Sequence, residues 1–405
     1  MNRMVKLCVQ KAVELRKPLS EVLNEVWPLV MATLLQANIN VALDIYKKII
    51  EQDKKANIIF SPICISASLA LASKGAKNDT ETKMKTVLHI ENAKDVDFGY
   101  QSIASELAKI SESNSLKLIK RLYVDKSLNC TKEFINSSKK PYPSQLEIVD
   151  FKEHPKETRE QINKNISELT NGKIETILCE DNATDQTKLL LLGAAICSGK
   201  WLKKFDKTKT KEVPFRISKT ESKPVQMMQL EARCFMGYVK ELKTLVLDLP
   251  CENKAMSMII LLPQDIEDDS TGLEQLEKEL TYEKFVHWTN PSMMANTKVN
   301  VSLPKFKVFR RYDLKSLLTS LGLGDIFNEE VADFSGMTET KGVALSQAIH
   351  EASLEISEDG LEEPDMARER VLMHKDEFNG DHPFLMAVRH NKSRSILMLG
   401  KFCSP

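Results

Sequence analysis

Residues 345–365 read Leu345-Ser-Gln-Ala-Ile-His350-Glu-Ala-Ser-Leu-Glu-Ile-Ser-Glu-Asp-Gly360-Leu-Glu-Glu-Pro-Asp365. Ala348, His350, Ala352, Leu354 and Ile356 alternate with Ile349, Glu351, Ser353, Glu355 and Ser357. A period of two is that of a β-strand, whose side chains point to opposite faces in turn. The chain leaves this strand at Glu358, Asp359 and Gly360. Beyond lie Leu361, Glu362, Glu363, Pro364 and Asp365. Prolonging the strand into a sheet buries Glu362 in one phase, and Glu363 with Asp365 in the other. An unpaired buried carboxylate costs several kcal/mol. Pro364 has no N–H to give to a neighbouring strand. The segment therefore reads as a strand followed by an exposed, acidic loop.

Working outward, residues 189–195, 245–249, 256–262, 298–303 and 396–399 are short apolar or alternating runs that suit strands. Residues 32–52 carry apolar side chains at helical spacing. Ser61-Pro62 opens a second helix, with proline at the tolerated first turn. Residues 157–170 form a third, closed by Asn171-Gly172. Helices come mostly first and strands dominate later, without βαβ alternation. The fold class is α+β with large antiparallel sheets.

The 405 residues hold 57 Lys+Arg against 57 Asp+Glu, a net charge of zero, with 42% hydrophobic residues. That balance offers no bulk attraction to nucleic acid and no disorder signature. No run of 18 apolar residues is present, so membrane insertion is not expected. Residues 1–30 begin basic but lack the apolar core of a secretory signal. Without such a signal, the seven Asn-x-Ser/Thr sequons read as chance matches. Eight scattered cysteines contain no CxxC pair and read as reduced thiols. No phosphate-binding loop, HExxH or closely spaced histidine pair occurs, so no cofactor or metal is expected. No cysteine is marked as a nucleophile, and the chain does not read as an enzyme. The cluster Lys200, Lys203, Lys204, Lys207, Lys209 and Lys211 reads as a solvated face before a polyanion site.

Specificity comes from strings spread along the chain. They include Asn57-Ile-Ile-Phe-Ser61-Pro62 with Ser66, Thr170-Asn-Gly-Lys-Ile174, Gly199-Lys-Trp201 with Phe205, and Met256-Ser-Met-Ile-Ile-Leu-Leu-Pro263. Pro304-Lys-Phe306, Asp333-Phe-Ser-Gly-Met337, His350, Glu358-Asp-Gly360 and Asp381-His382-Pro-Phe384 follow in order. Together these resemble the serpin family, over residues 31–405. Further strings, such as Ser115–Asn129, Trp288-Thr-Asn-Pro-Ser292 and the terminal Gly400-Lys-Phe-Cys-Ser-Pro405, narrow the resemblance to one member of the ovalbumin-type branch, clade B. The resemblance implies a single domain over 31–405, with three β-sheets, eight to nine helices and an exposed reactive-centre loop. Residues 1–30 are then an N-terminal extension, helical or disordered.

Residue roles follow only by resemblance. Arg370-Val371 becomes the scissile bond, and Glu358–Pro364 the loop hinge. Ser61, Ser66, Trp201, His350 and His382 become the breach and shutter that open when a cleaved loop inserts. Inhibitory serpins insert that loop as a new strand, and their hinge is small and apolar. Here it is acidic and holds a proline. Arg370 follows Glu358 by twelve positions, several short of inhibitory members. Three departures from the family pattern stand out: Gly193 for an asparagine, Glu351 for a lysine, and Asn78 for a glycine. The expected function is non-inhibitory, through protein partners in adhesion, migration and growth control, in a monomer. Cytoplasmic, nuclear and extracellular pools are implied. A trypsin-like protease enters as a cleaver of the loop. Inhibition of trypsin-like enzymes at Arg370 is the alternative, and a heparin-binding carrier using Lys200–Lys211 the weaker third reading.

Overall fold

The computed structural model describes residues 19–93, 95–111, 115–139, 142, 145–252, 254–361 and 376–405, with backbone alone for 19–30. Cys8, the hinge residues Glu362, Glu363 and Pro364, and the bond Arg370–Val371 lie outside the described residues.

The first half of the chain is mainly helical. Helix α1 (Leu19–Gln52) precedes β1 (Ile58–Phe60), α2 (Pro62–Ser73), α3 (Asn78–Val87) and α4 (Val96–Ser111). Strands β2 (Leu116–Asp125) and β3 (Leu146–Val149) flank α5 (Lys132–Lys139), and α6 (Pro155–Leu169) follows. The remainder is mainly strand: β4 (Leu189–Ser198), β5 (Lys211–Arg216), β6 (Ser222–Val239), β7 (Thr244–Pro250) and β8 (Met256–Pro263). Short helices α7 (Glu274–Glu279) and α8 (Tyr282–Trp288) lead into β9 (Ala295–Pro304) and β10 (Phe306–Asp313). After α9 (Leu314–Leu318) come β11 (Leu345–Ile356), β12 (Asp376–Asn379), β13 (Phe384–His390) and β14 (Ile396–Phe402). The described residues thus carry nine α-helices.

Two differences from the sequence reading concern helices. The first begins at Leu19 rather than 32, so the extension's last residues continue it. It runs through Pro28, where one main-chain hydrogen bond is missing. The second is buried on every side, from Pro62 to Ser73, so no apolar stripe marks a single inner face. Its start is as expected: the Ser61 hydroxyl accepts the Cys64 N–H. Asn171 and Gly172 both take positive φ, 53° and 75°, and stop α6. Asn78, where the family has glycine, sits at φ 51°.

A five-stranded sheet runs β10-β11-β4-β2-β3. Its central strand β4, LLLLGAAICS, is apolar throughout because both of its faces are covered. Leu189, Leu191, Ala195 and Cys197 join the main core, which includes α2. Leu190, Leu192, Ala194 and Ile196 pack on Ile162 and Ile166 of α6 in a second core. The other strands form one hydrogen-bonded path, β1-β14-β13-β8-β7-β6-β9-β12, with β5 also on β6. Among the described residues the strands fall into two hydrogen-bonded sheets rather than three, because the 18-residue β6 joins two parts of the larger one. The first part of β6 pairs with β5 and its last part with β7, while β9 lies along the other edge.

Most pairings are antiparallel, as expected. The central pair β4–β11 is not: it runs parallel from Leu345↔Leu189 to Glu355↔Ser198. Short apolar runs far apart in sequence carry no sign of relative direction, so the pattern could not show this.

Candidate functional site: the hinge and the shutter

The strand quoted at the outset forms β11, and the hinge leaves its end at Ser357. It does not swing free. A parallel bridge joins Gly360 to Trp201. Trp201 N donates to Asp359 O and Leu361 N to Trp201 O, both at 3.0 Å. Lys204 N donates to Leu361 O at 3.1 Å, and Phe205 N to Glu358 O at 3.0 Å. The indole Nε1 of Trp201 donates to Ser357 O at 2.8 Å. Residues 357–361 are therefore latched along residues 201–205 by main-chain bonds on both sides. Gly360 permits this approach: a Cβ there would stand 2.7 Å from Trp201 O and 2.9 Å from Lys204 Cα.

Side chains complete the latch. Trp201 is buried and meets Phe205 edge-on at 5.7 Å. Glu358 is buried at 6% exposure. Lys305 Nζ lies 3.0 Å from its carboxylate and the Thr210 hydroxyl 3.1 Å. Burial pushes the Glu358 carboxyl up, but Lys305, its own N–H and Thr210 outweigh that and hold it below the usual carboxylate range. The lysine cluster from 200 to 211 borders this place as a mostly exposed face. It is interleaved with acids: Lys207 sits 3.5 Å from Asp359 and Lys209 3.5 Å from Asp206.

The shutter lies deeper, under the middle of the parallel pair. His350 on β11 stands in register with Gly193 on β4. Its Nε2 accepts the Ser61 N–H at 2.9 Å, and the Ser61 hydroxyl donates to Leu397 O at 2.6 Å. Three elements thus meet at one imidazole. Nδ1 makes no well-formed hydrogen bond. It faces Gly193, where an added Cβ would stand 2.8 Å away. Burial lowers the His350 pKa to about 3, so the ring is neutral. Ser66 is buried on the same helix as Ser61.

Next to His350, Glu351 points to the opposite face and is 3% exposed. Arg311 on β10 holds it, with Nη1 2.5 Å from the carboxylate and 2.6 Å from Ile177 O, while Nη2 donates to Asn182 Oδ1 at 2.9 Å. Burial raises the Glu351 carboxyl, and Arg311 offsets only part of that.

The structure therefore brings Ser61 and His350 together, buries Ser66 on the helix that Ser61 caps, and places Trp201 at the hinge. His382 belongs to neither group. It is buried between Pro263 O, 2.5 Å from Nε2, and Asp381, 2.6 Å from Nδ1. Sequence reading missed Arg311, which sits in no quoted string. It also missed the role of Lys305, although the string Pro304-Lys-Phe306 contains it.

Among the described residues there is no group of His, Cys, Asp and Glu that could hold a metal ion. The seven described cysteines are free thiols. Burial pushes the Cys197 thiol up to about 12, and the Cys64 thiol upward too. Neither is poised as a nucleophile.

A family model described as serpin (serine protease inhibitor) matches residues 36–405. Serpin B5 of Xenopus tropicalis is 55% identical over 375 residues, covering 93% of this chain and 99% of the relative. A crystal structure of maspin superposes with a TM-score of 0.90 at 53% identity, covering 93% of this chain and all of that one. Another solved structure, described as a tumour suppressing serpin, superposes at 0.87 with 53% identity and covers 92% and 99%. With the parallel pair, the hinge at its end and the shutter beneath it in place, the chain belongs to the serpin family, and it is not an enzyme.

Proposed function

We propose that this maspin-like serpin is non-inhibitory and acts by binding protein partners, in a tumour-suppressor-like role in cell adhesion, migration and growth control. The observation that supports the reading is the latched hinge. Loop insertion would have to part β4 from β11 and peel residues 357–361 off Trp201–Phe205, breaking five hydrogen bonds and the buried Glu358–Lys305 contact. The next residues to enter, Glu362, Glu363 and Pro364, are a poor strand to insert in return. Glu351 and Gly193, both on the slot strands, depart from the family pattern as well. The likeness to a tumour suppressing serpin supports the cellular side of the proposal. Arg370–Val371 is then a bond for trypsin-like proteases to cut, not a trap.

The test is incubation of the full chain with trypsin, followed by denaturing electrophoresis. Cleavage without an SDS-stable covalent complex is expected. A stable stoichiometric complex would instead establish the alternative, an inhibitor of trypsin-like enzymes at Arg370.

The monomeric state and the cytoplasmic, nuclear and extracellular pools belong to the same proposal. Among the described residues, no helix is long and apolar enough to cross a membrane.

A further inference from the structure

Lys120 occupies an unusual place in β2. The strand alternates: Ile119 and Tyr123 join the second core under α6, while Leu116 and Leu122 join the main core, with Leu118 packed against it. Position 120 shares the face of Leu116, Leu118 and Leu122. A lysine thus stands where the pattern calls for an apolar residue. It lies in register with Gly193 of β4. Burial lowers its pKa, and the groups that act on it are the neutral Cys64 thiol and Arg121, with no carboxylate beside it among the described residues. The adjacent guanidinium is engaged elsewhere: Arg121 Nε lies 2.6 Å from Glu147 and Nη1 donates to Lys120 O.

Beside Lys120 lies a cleft of about 230 Å³ between β2 and α4. Its walls are Ala104, Leu107 and Ala108 of the helix and Leu116 and Leu118 of the strand. Gln145 also lines it. That residue is 5% exposed, and its side-chain Oε1 has no hydrogen-bond partner. Buried amide groups without partners are uncommon and call for an explanation. A half-turn of the amide presents either its oxygen or its NH2 to the cleft.

We infer that this cleft is a binding site for a small amphipathic monocarboxylate, with its carboxylate on Lys120, its apolar body against Leu107, Leu116 and Leu118, and a polar contact to Gln145. Of the two cations lining the cleft, Arg121 is paired with Glu147 and Lys120 has no carboxylate beside it among the described residues, which matches one negative charge. A phosphate would need more donors than one ammonium and one amide supply. At about 30 Å³ per water-sized group, the volume admits about eight heavy atoms, the size of a medium-chain fatty acid or an aryl carboxylate. The hinge latch does not use this place.

Isothermal titration of hexanoate into the full chain at neutral pH tests the assignment, with hexanol as the uncharged comparison. Saturable one-site binding of hexanoate is expected, at least tenfold tighter than hexanol. Lys120→Met should weaken hexanoate at least tenfold and leave hexanol unchanged. Ala104→Leu fills the cleft from a half-exposed helical position and should abolish binding of both. Absence of saturable hexanoate binding, equal affinity for hexanoate and hexanol, or hexanoate affinity unchanged in both variants would overturn the inference.

Discussion

His350 shows how much one residue decides. Its Nε2 accepts from the Ser61 main chain, and its other nitrogen faces a glycine with no well-formed bond. The motif pointed to this histidine, but not to which nitrogen bonds, nor to its titration. In the unfolded chain a histidine titrates near 6.5; folded, this one stays neutral down to about 3. Between those values the unfolded state binds a proton that the folded state does not. The neutral ring's contribution to stability is therefore present above about pH 6.5 and is lost as pH falls toward 3, at about 1.4 kcal/mol per pH unit. Urea unfolding of the protein and of His350→Gln, between about pH 7 and pH 4, should show the native protein losing stability faster by about that slope. Parallel profiles would mean that His350 does not titrate as its burial requires. Gly193 was legible as a departure from the family. That it leaves Nδ1 facing bare backbone was not, because β4 and β11 are some 150 residues apart in sequence.

At the scale of elements, β11 and its hinge behave as one unit with the segment 201–205. Period-two alternation located the strand, and Glu358-Asp359-Gly360 marked where the chain leaves it. The latch was invisible, since it is made almost wholly by main-chain groups, which leave no trace in side-chain pattern. It does lean on one side chain's absence. A methyl group at 360 would collide with Trp201 O and Lys204. Gly360→Ala should therefore release the hinge while leaving the core intact. Hydrogen exchange at the Trp201, Lys204 and Phe205 amides is expected to rise at least tenfold, with exchange in β4 and β13 unaltered. Unchanged protection at those three amides would show that the hinge bonds do not hold the segment.

For the whole molecule, the question is whether cutting the loop releases a more stable form. Inhibitory serpins gain a strand in the main sheet on cleavage. In this chain the slot is closed by the β4–β11 ladder, unbroken from Gln347 to Glu355, and the entering segment carries carboxylates and a proline. Thermal melting before and after cleavage at Arg370–Val371 should give nearly the same midpoint. A rise of more than about 10 °C would correspond to well over 2 kcal/mol in a molecule this large, and would mean that the strand does insert.

By itself the sequence determined the family, the α+β class, the strand that the chain leaves at Glu358–Gly360 and the unsuitability of residues 362–365 for burial. These rest on local periodicity, on strings of fixed spacing and on the cost of burying charge. Only the tertiary structure decided that the central pair is parallel, that Arg311 holds Glu351, that the hinge is latched on Trp201, and that Lys120 lines an apolar cleft. Each of those depends on groups brought together from distant parts of the chain, and two of them, the pairing and the latch, are made by backbone atoms that every residue carries alike.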